Sequence, residues 1–247
     1  MKKLILHIPH SSSVIPKLDG YVVPQSILDS EILKLTDWYT DVLFQNNIDK
    51  DIVAPFSRIF CDVERFSEDD KEVMSKFGMG VLYTTLDSGE KMREVTAQLR
   101  KFILDEYYWI HHNKLEKAVN YCLLDQNKCL IVDCHSFPNV PMERALDKKL
   151  ERPDINIGTD SFHTPKHIVE ISEKFFMDKG YSIGIDWPYT GSMVPTKFYK
   201  KDNRVSSVLI EINRRLYLEK GTNKKSSGYN EIKIVIQEYL EMLRGIC

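Results

Sequence analysis

The chain has 247 residues, 43% of them hydrophobic, which is enough apolar material for one sizeable core, so we expect a single domain over residues 1–247. Its 34 basic and 36 acidic residues leave a net charge of −2. The chain therefore lacks the strong positive field that would attract nucleic acid or an anionic membrane, and neither is expected as a partner. No apolar stretch is long enough to cross a bilayer, and the N-terminus turns polar too early for a signal peptide, so a cytoplasmic protein is predicted.

Apolar runs typical of strands alternate with amphipathic patterns typical of helices. Strands are predicted over residues 4–8, 51–54, 59–63, 81–84, 129–134, 155–158, 181–185 and 207–212. Helices are predicted over 26–45, 91–124, 165–179 and 230–244. This alternation predicts an α/β fold, a three-layer sandwich around a mixed, mostly parallel sheet.

Two predicted strands lead to histidine. One run contains Asp133 and His135, and the first run of the chain leads to His10. Open α/β sheets bind ligands at the carboxyl ends of their strands, so both histidines are candidate metal ligands. Asp133 and His135 are two residues apart and share a face, so the carboxylate is expected to fix the tautomer of the imidazole. The alternative for each histidine alone is a structural role.

A metal site needs further ligands. The five cysteines form no CxxC pair, which indicates neither a disulfide framework nor a thiolate zinc site, so histidine and carboxylate are the expected donors. A catalytic zinc ion takes three protein ligands and keeps one position open. Asp37 and Asp41 are spaced i, i+4 in a predicted helix, and either can be the third ligand. The alternative is a solvated helix face.

Glu211 interrupts the apolar run 208–212, where a charged residue is costly unless it is paired or used. We therefore predict that Glu211 is a general base, and a buried ion pair with Arg214 or Arg215 is the alternative.

Arg58, Arg65 and Arg144 lie near predicted turns. A planar guanidinium binds a carboxylate through two parallel hydrogen bonds, so these positions suit an acidic small-molecule substrate. The alternative for each is an ordinary surface arginine.

Six motifs in this order resemble the N-formylglutamate amidohydrolase family, whose fold is related to that of the zinc carboxypeptidases. They span residues 7 to 217 and comprise His7-Ile8-Pro9-His10-Ser11, Thr36-Asp37-Trp38, Ser57-Arg58 with Asp62 and Arg65, Val132-Asp133-Cys134-His135-Ser136-Phe137, Pro188-Tyr189-Thr190-Gly191-Ser192-Met193-Val194-Pro195 and Glu211-Ile212-Asn213-Arg214-Arg215-Leu216-Tyr217.

The resemblance implies a zinc-carboxypeptidase-like fold with one Zn²⁺ per chain. It implies hydrolysis of N-formyl-L-glutamate or a similar N-acyl acidic amino acid. By position, His10 and His135 resemble metal ligands, with a carboxylate near Asp37 as the third. Glu211 resembles the general base of the carboxypeptidases.

The same resemblance implies how the substrate is held. Arg58 and Arg65 resemble a grip on the substrate carboxylate, and the loop containing Tyr189 and Gly191 would fold over the substrate. One position departs from the family pattern, because Glu64 stands where an asparagine is expected before Arg65.

Two alternatives to this function stay open. Glu64 favours a related zinc amidase or peptidase that acts on a different N-acyl amino acid or a small peptide, because it would repel a substrate carboxylate. A non-catalytic binding protein that retains the fold is the other alternative, although His10, His135 and Glu211 are all present. Nothing in the sequence indicates the oligomeric state.

Overall fold

The structure is a computed structural model that describes residues 2–246, so Met1 and Cys247, the two ends of the predicted domain, lie outside the described residues. Its six strands are β1 (Ile5–Ile8), β2 (Lys50–Val53), β3 (Cys129–Phe137), β4 (Ile155–Gly158), β5 (Ile183–Ile185) and β6 (Val205–Asn213). They form one sheet with the order β2-β1-β3-β6-β4-β5. Neighbouring strands are parallel except for β4 and β6, which are antiparallel. The prediction of a mixed, mostly parallel sheet is confirmed.

Six α-helices accompany the sheet: α1 (Gln25–Leu35), α2 (Thr40–Phe44), α3 (Ala97–Ile103), α4 (Trp109–Gln126), α5 (Lys166–Asp178) and α6 (Tyr229–Ile246). A π-helical turn at Leu104–Tyr108 joins α3 to α4, and 3₁₀ turns cover Val73–Phe77 and Arg214–Leu216. No helix within residues 2–246 is long and apolar enough to cross a membrane.

The strands bury side chains on both faces of the sheet, as the near-continuous apolar runs require. On β3, Val132 and Cys134 pack in a core shared with α2, α5 and α6. Ile131 and Cys129 point the other way and pack with α4. Because side chains alternate along a strand, Asp133 and His135 lie on the α4 face. The sheet therefore lies between two helical layers, as predicted.

The segment between β2 and α3 differs from the prediction. Residues 59–63 and 81–84 form no strand of the sheet. Phe60 and Cys61 both donate backbone hydrogen bonds to the Ser57 carbonyl, so this apolar run is a tight turn, and Asp62 N–H is bonded to the Val81 carbonyl. Most of the apolar side chains here pack in a local cluster, and Ile59 and Tyr83 pack against α1. The predicted helix over 91–124 begins only at α3, where the Thr96 side chain caps the helix.

Candidate active site

The candidate site lies at the carboxyl ends of β1, β3 and β6. His10 follows β1, and His135 lies near the end of β3. Glu211 on β6 is paired in register with His135. In a parallel pair, residues in register point to the same face, so the imidazole and the carboxyl group are neighbours. This edge is where open α/β sheets bind their ligands.

His10, Asp37 and His135 form a candidate metal-binding group. All three are buried, and their ligand atoms lie within 4.8 Å of one another. Asp37 Oδ2 is 3.1 Å from His135 Nδ1 and 3.8 Å from His10 Nδ1. Two imidazoles and one carboxylate are a donor set typical of catalytic zinc. The three predicted ligands, drawn from three separate parts of the chain, are thus brought together.

The surroundings of His10 fit a cation. Its Nδ1 is buried and has no hydrogen-bond partner among the described residues. Its Nε2 lies 2.8 Å from Asp62 Oδ1, and Asp62 also accepts hydrogen bonds from Arg58 and Tyr83. Burial raises the pKa of Asp62, but the charges of Arg58 and His10 outweigh this effect. The pKa therefore lies well below its usual range. With Nε2–H bonded to this carboxylate, Nδ1 is left to bind an ion.

Asp37 lies in a break between α1 and α2, so the prediction of one helix over 26–45, with Asp37 and Asp41 stacked on one face, is wrong. Tyr39 has a φ of 65°, in the left-handed region that an α-helix does not contain. Asp37 N–H donates to the His10 carbonyl at 2.9 Å, and this bond ties the break to the end of β1. Asp41 lies in α2 and does not belong to the metal-binding group of the described residues.

Asp37 is kept charged by its neighbours. Arg214 donates to Oδ1 at 2.8 Å, and the Ser136 backbone N–H donates to Oδ2 at 3.2 Å. Burial raises the pKa of Asp37, but the neighbouring imidazoles of His10 and His135 and the Arg214 charge outweigh this effect, so the pKa is lowered. A carboxylate that stays ionised is the form that binds a metal ion.

The far side of His135 contacts two carboxylates. His135 Nε2 lies 3.2 Å from Asp133 Oδ1 and 3.1 Å from Glu64 Oε1. Asp133 is itself oriented by the Met193 backbone N–H at 2.8 Å. Burial lowers the pKa of His135, but Glu64 and Asp133 outweigh it, so the pKa is raised well above its usual range. The contact expected between Asp133 and His135 is present, and its role in fixing the tautomer stays a prediction.

Glu211 is buried, and no arginine of the described chain forms an ion pair with it. Arg214 pairs with Asp37 and Arg215 with Asp154, so neither forms the alternative ion pair considered from the sequence. Glu211 Oε2 has no hydrogen-bond partner among residues 2–246. Burial, reinforced by the Asp37 charge, raises the pKa of Glu211 to about 7. A carboxyl group with this pKa can accept and return a proton near neutral pH.

Arg58 and Arg65 line the cavity but already contact carboxylates. Arg58 donates to Asp62 Oδ2 through Nε at 3.2 Å and Nη2 at 2.9 Å. Arg65 lies 3.6 Å from the same oxygen and 3.7 Å from Glu72 Oε1. Both guanidinium groups therefore neutralise the carboxylate behind His10, and their role in binding substrate stays a prediction.

Arg144 likewise has carboxylate neighbours. Its Nη2 lies 3.5 Å from Glu31 Oε1, and its Nε lies 4.0 Å from Asp87 Oδ1. The Asp87 carboxylate also accepts the backbone N–H of Arg144 at 3.1 Å. Arg144 thus ties its loop to α1, and a contact with substrate stays a prediction.

Arg152 is a cavity arginine that was not predicted from the sequence. It is 4% exposed and donates only to neutral acceptors, the Tyr189 hydroxyl at 3.2 Å and the carbonyls of Pro138 and Asp147. Its Nε has no partner, and it has no carboxylate within 4.0 Å among the described residues. Its place near the end of the long connection between β3 and β4 is the one feature of the sequence that could have indicated it.

The loop that contains Tyr189 and Gly191 is anchored beside the sheet. Tyr189 N–H donates to Asn156 Oδ1 at 2.9 Å, and the Tyr189 ring lines the cavity. Gly191 has a φ of 93°, and its carbonyl oxygen lies 2.6 Å from the position of a Cβ on Gly158. A side chain at either glycine would therefore disturb this loop. Gly191 itself does not line the cavity of the described residues.

One cavity of about 400 Å³ joins these groups. Its lining includes the three predicted metal ligands, Glu211, Glu64, Tyr189 and all four arginines described above. A cavity of this size suits a small molecule with a few convergent polar groups.

The fold and this cavity define an α/β protein with a candidate metal site suited to hydrolysis. The chain belongs to the N-formylglutamate amidohydrolase family, whose model matches residues 2–218. The resemblance seen in the sequence is thereby confirmed, and membership makes the chain an amidohydrolase.

Two solved structures share the fold. The crystal structure of an N-formylglutamate amidohydrolase from Ralstonia eutropha JMP134 superposes with a TM-score of 0.86 at 22% identity, over 99% of this chain and 94% of that chain. The structure of a gene product from Agrobacterium tumefaciens gives a TM-score of 0.68 at 15% identity, over 98% of this chain and 91% of that chain. No curated protein matches the sequence. At these identities, the structural likeness establishes the fold alone.

Proposed function

We propose that this protein is a zinc-dependent hydrolase of an N-acyl acidic amino acid, with N-formyl-L-glutamate or a close relative as substrate. The observation that carries the proposal is a buried glutamate, Glu211, with a pKa of about 7 beside the group formed by His10, Asp37 and His135. These three residues would hold one zinc ion, which when bound supplies Lewis-acid activation of the amide carbonyl and of the attacking water.

Glu211 is the general base of this proposal. It takes a proton from the water molecule as oxygen bonds to the acyl carbon. It then returns that proton to the amide nitrogen as the carbon–nitrogen bond breaks, which releases a carboxylic acid and the free amino acid. Because Oε2 has no other hydrogen-bond partner among the described residues, the carboxylate is free to contact the water.

Arg152 is the residue that we propose binds the acidic end of the substrate. Arg58, Arg65 and Arg144 have carboxylate neighbours, whereas Arg152 donates to neutral oxygens and has no carboxylate within 4.0 Å among residues 2–246. A buried guanidinium without a counter-charge is stabilised by a carboxylate that arrives with the ligand. Glu64 would repel such a carboxylate near the histidines, which directs the acidic group of the substrate towards Arg152 instead.

The experiment that tests the proposal compares the wild type with Glu211→Gln, using the exposed Glu90→Gln as the matched control. The substrates are N-formyl-L-glutamate, N-acetyl-L-glutamate and N-formyl-L-alanine. We expect kcat to fall by about 10²–10⁴-fold in Glu211→Gln, with unchanged zinc content and no change in Glu90→Gln. Near-normal turnover by Glu211→Gln would show that another group is the base.

A hydrolase of a different N-acyl amino acid is the second candidate, and Glu64 is the observation that favours it. The same substrate comparison separates the two. Faster cleavage of N-formyl-L-alanine than of N-formyl-L-glutamate would favour the second candidate and would contradict the assignment of Arg152.

A further inference from the structure

A second group of possible metal ligands lies next to the first. His7, Glu64 and Asp133 offer ligand atoms that lie within 4.8 Å of one another. His7 and Asp133 are buried, and Glu64 lines the cavity, so this group can be reached from it. We propose that His7, Glu64 and Asp133 form a second divalent-cation site, suited to zinc or a similar transition-metal ion.

The distances fit tetrahedral coordination. His7 Nδ1 lies 2.7 Å from Asp133 Oδ1 and 3.6 Å from Glu64 Oε1. A tetrahedral zinc ion with bonds of about 2.0–2.2 Å holds its ligand atoms roughly 3.3 Å apart, and the two distances bracket this value. His135 Nε2 lies 3.1 Å from Glu64 Oε1 and 3.2 Å from Asp133 Oδ1, which puts it at the fourth corner.

The charge balance around these residues favours a cation. Asp37 and Asp62 are each paired with an arginine, whereas the side chains of Glu64 and Asp133 have no lysine or arginine within 4.0 Å among residues 2–246. The side chains that the latter two carboxylates contact among the described residues are imidazoles, and Asp133 also accepts the Met193 backbone N–H. Two carboxylates this close, with Asp133 fully buried, repel each other unless positive charge lies between them.

An ion at the first metal site would increase the need for positive charge between Glu64 and Asp133, and the presence of that ion rests on the proposed function. If His135 Nδ1 binds the catalytic ion, the ring has a single Nε2 proton to share between Glu64 and Asp133. A second divalent ion replaces that proton, which passes to solvent, and supplies the charge that the two carboxylates need.

His111 completes the arrangement from α4. Its Nε2 lies 2.9 Å from His7 Nε2, and both rings are buried. Metal-binding histidines commonly donate their second ring N–H to an outer acceptor, which fixes the tautomer. With an ion bound, His7 Nε2–H would donate to His111, which would leave His7 Nδ1 for the ion. The proposed hydrolysis has no other use for this buried histidine pair.

The test is the zinc content of chelator-stripped protein after equilibrium dialysis against zinc, measured by elemental mass spectrometry. The variants are Glu64→Gln for the second site, His10→Ala for the first site and Glu90→Gln as an exposed control. We expect about two zinc ions per chain in the wild type and in Glu90→Gln, and about one in each of the other two. Thermal melting followed by circular dichroism establishes that each variant is folded.

The outcomes separate the two proposals. If Glu64→Gln binds as much zinc as the wild type, the second site is refuted. About one ion in the wild type, retained in Glu64→Gln and lost in His10→Ala, would refute the second site and leave the proposed function standing. Full zinc content in His10→Ala, with loss in Glu64→Gln, would contradict the proposed catalytic site instead.

Crystals of the zinc-loaded wild type give a measurement that needs no variant. Anomalous scattering at the zinc edge should show two peaks per chain, one of them bounded by His7, Glu64 and Asp133. A single peak at His10, Asp37 and His135 would overturn the second site.

Discussion

Replacing Glu211 with glutamine should change how the stability of the metal-free protein depends on pH. Burial raises the pKa of Glu211 to about 7 from an ordinary value of 4.5. Below the lower value the carboxyl group is protonated in both states. Between the two values, the unfolded chain ionises while the folded protein keeps its proton. The stability of the wild type therefore falls as pH rises through this window, and the loss is complete above the folded pKa.

The size of this loss follows from the two pKa values. The interval from 4.5 to about 7, converted at about 1.36 kcal/mol per pKa unit, corresponds to about 3 kcal/mol. Glu211 is only 7% exposed, so solvent screens little of this energy. Part of the loss has already occurred at about pH 5, so we expect about 2.5 kcal/mol between about pH 5 and about pH 8.

The assay is urea unfolding of chelator-treated wild type, Glu211→Gln and the control Glu90→Gln at both pH values. Chelation is necessary because a bound cation would itself lower the pKa of Glu211. Relative to wild type, the free energy of unfolding of Glu211→Gln should be higher at pH 8 than at pH 5 by the stated amount. Glu90→Gln should show no such difference. If the difference in the free energy of unfolding between Glu211→Gln and wild type is the same at both pH values, the prediction that burial keeps Glu211 protonated is refuted.

Three further predictions concern other contacts. Asp62→Asn should weaken zinc binding by about 10–100-fold, because the amide no longer fixes the tautomer of His10. Chelator competition measures the affinity, and an unchanged value would contradict this role of Asp62. Arg152→Gln should raise KM for an acidic substrate by about 10–100-fold with little change in kcat, and an equal KM would show that the acidic group binds elsewhere. Arg244→Ala should lower the free energy of unfolding by about 3–5 kcal/mol in urea titrations, because buried Asp49 loses its ion-pair partner, whereas zinc content should stay the same.

The sequence was sufficient for the fold class and for the residues on strand ends. Strand periodicity and apolar runs are local properties, so β1, β3, β4 and β6 were predicted within a few residues. The rule that parallel strands share one carboxyl edge then predicted His10 and His135 at that edge, and the structure shows both there, with Glu211 beside His135.

Local patterns failed where long-range contacts compete with them. The amphipathic pattern over 26–45 is helical in character, yet the chain breaks at Thr36, because Asp37 N–H bonds to His10 and its carboxylate bonds to Arg214. The apolar run at 59–63 is a turn for a similar reason, since Asp62 is drawn into the polar cluster behind His10.

What the sequence determined by itself is the alternation of strands and helices and the position of His10 and His135 at strand ends. Only the tertiary structure decided that Asp37 rather than Asp41 faces the site, and that Arg152 has no carboxylate within 4.0 Å among the described residues. It also decided the contact between His7 and Asp133, which are 126 residues apart in the chain. Side-chain periodicity depends on neighbours a few residues away, whereas the charge state of a buried group depends on partners that the folded chain brings within a few ångströms.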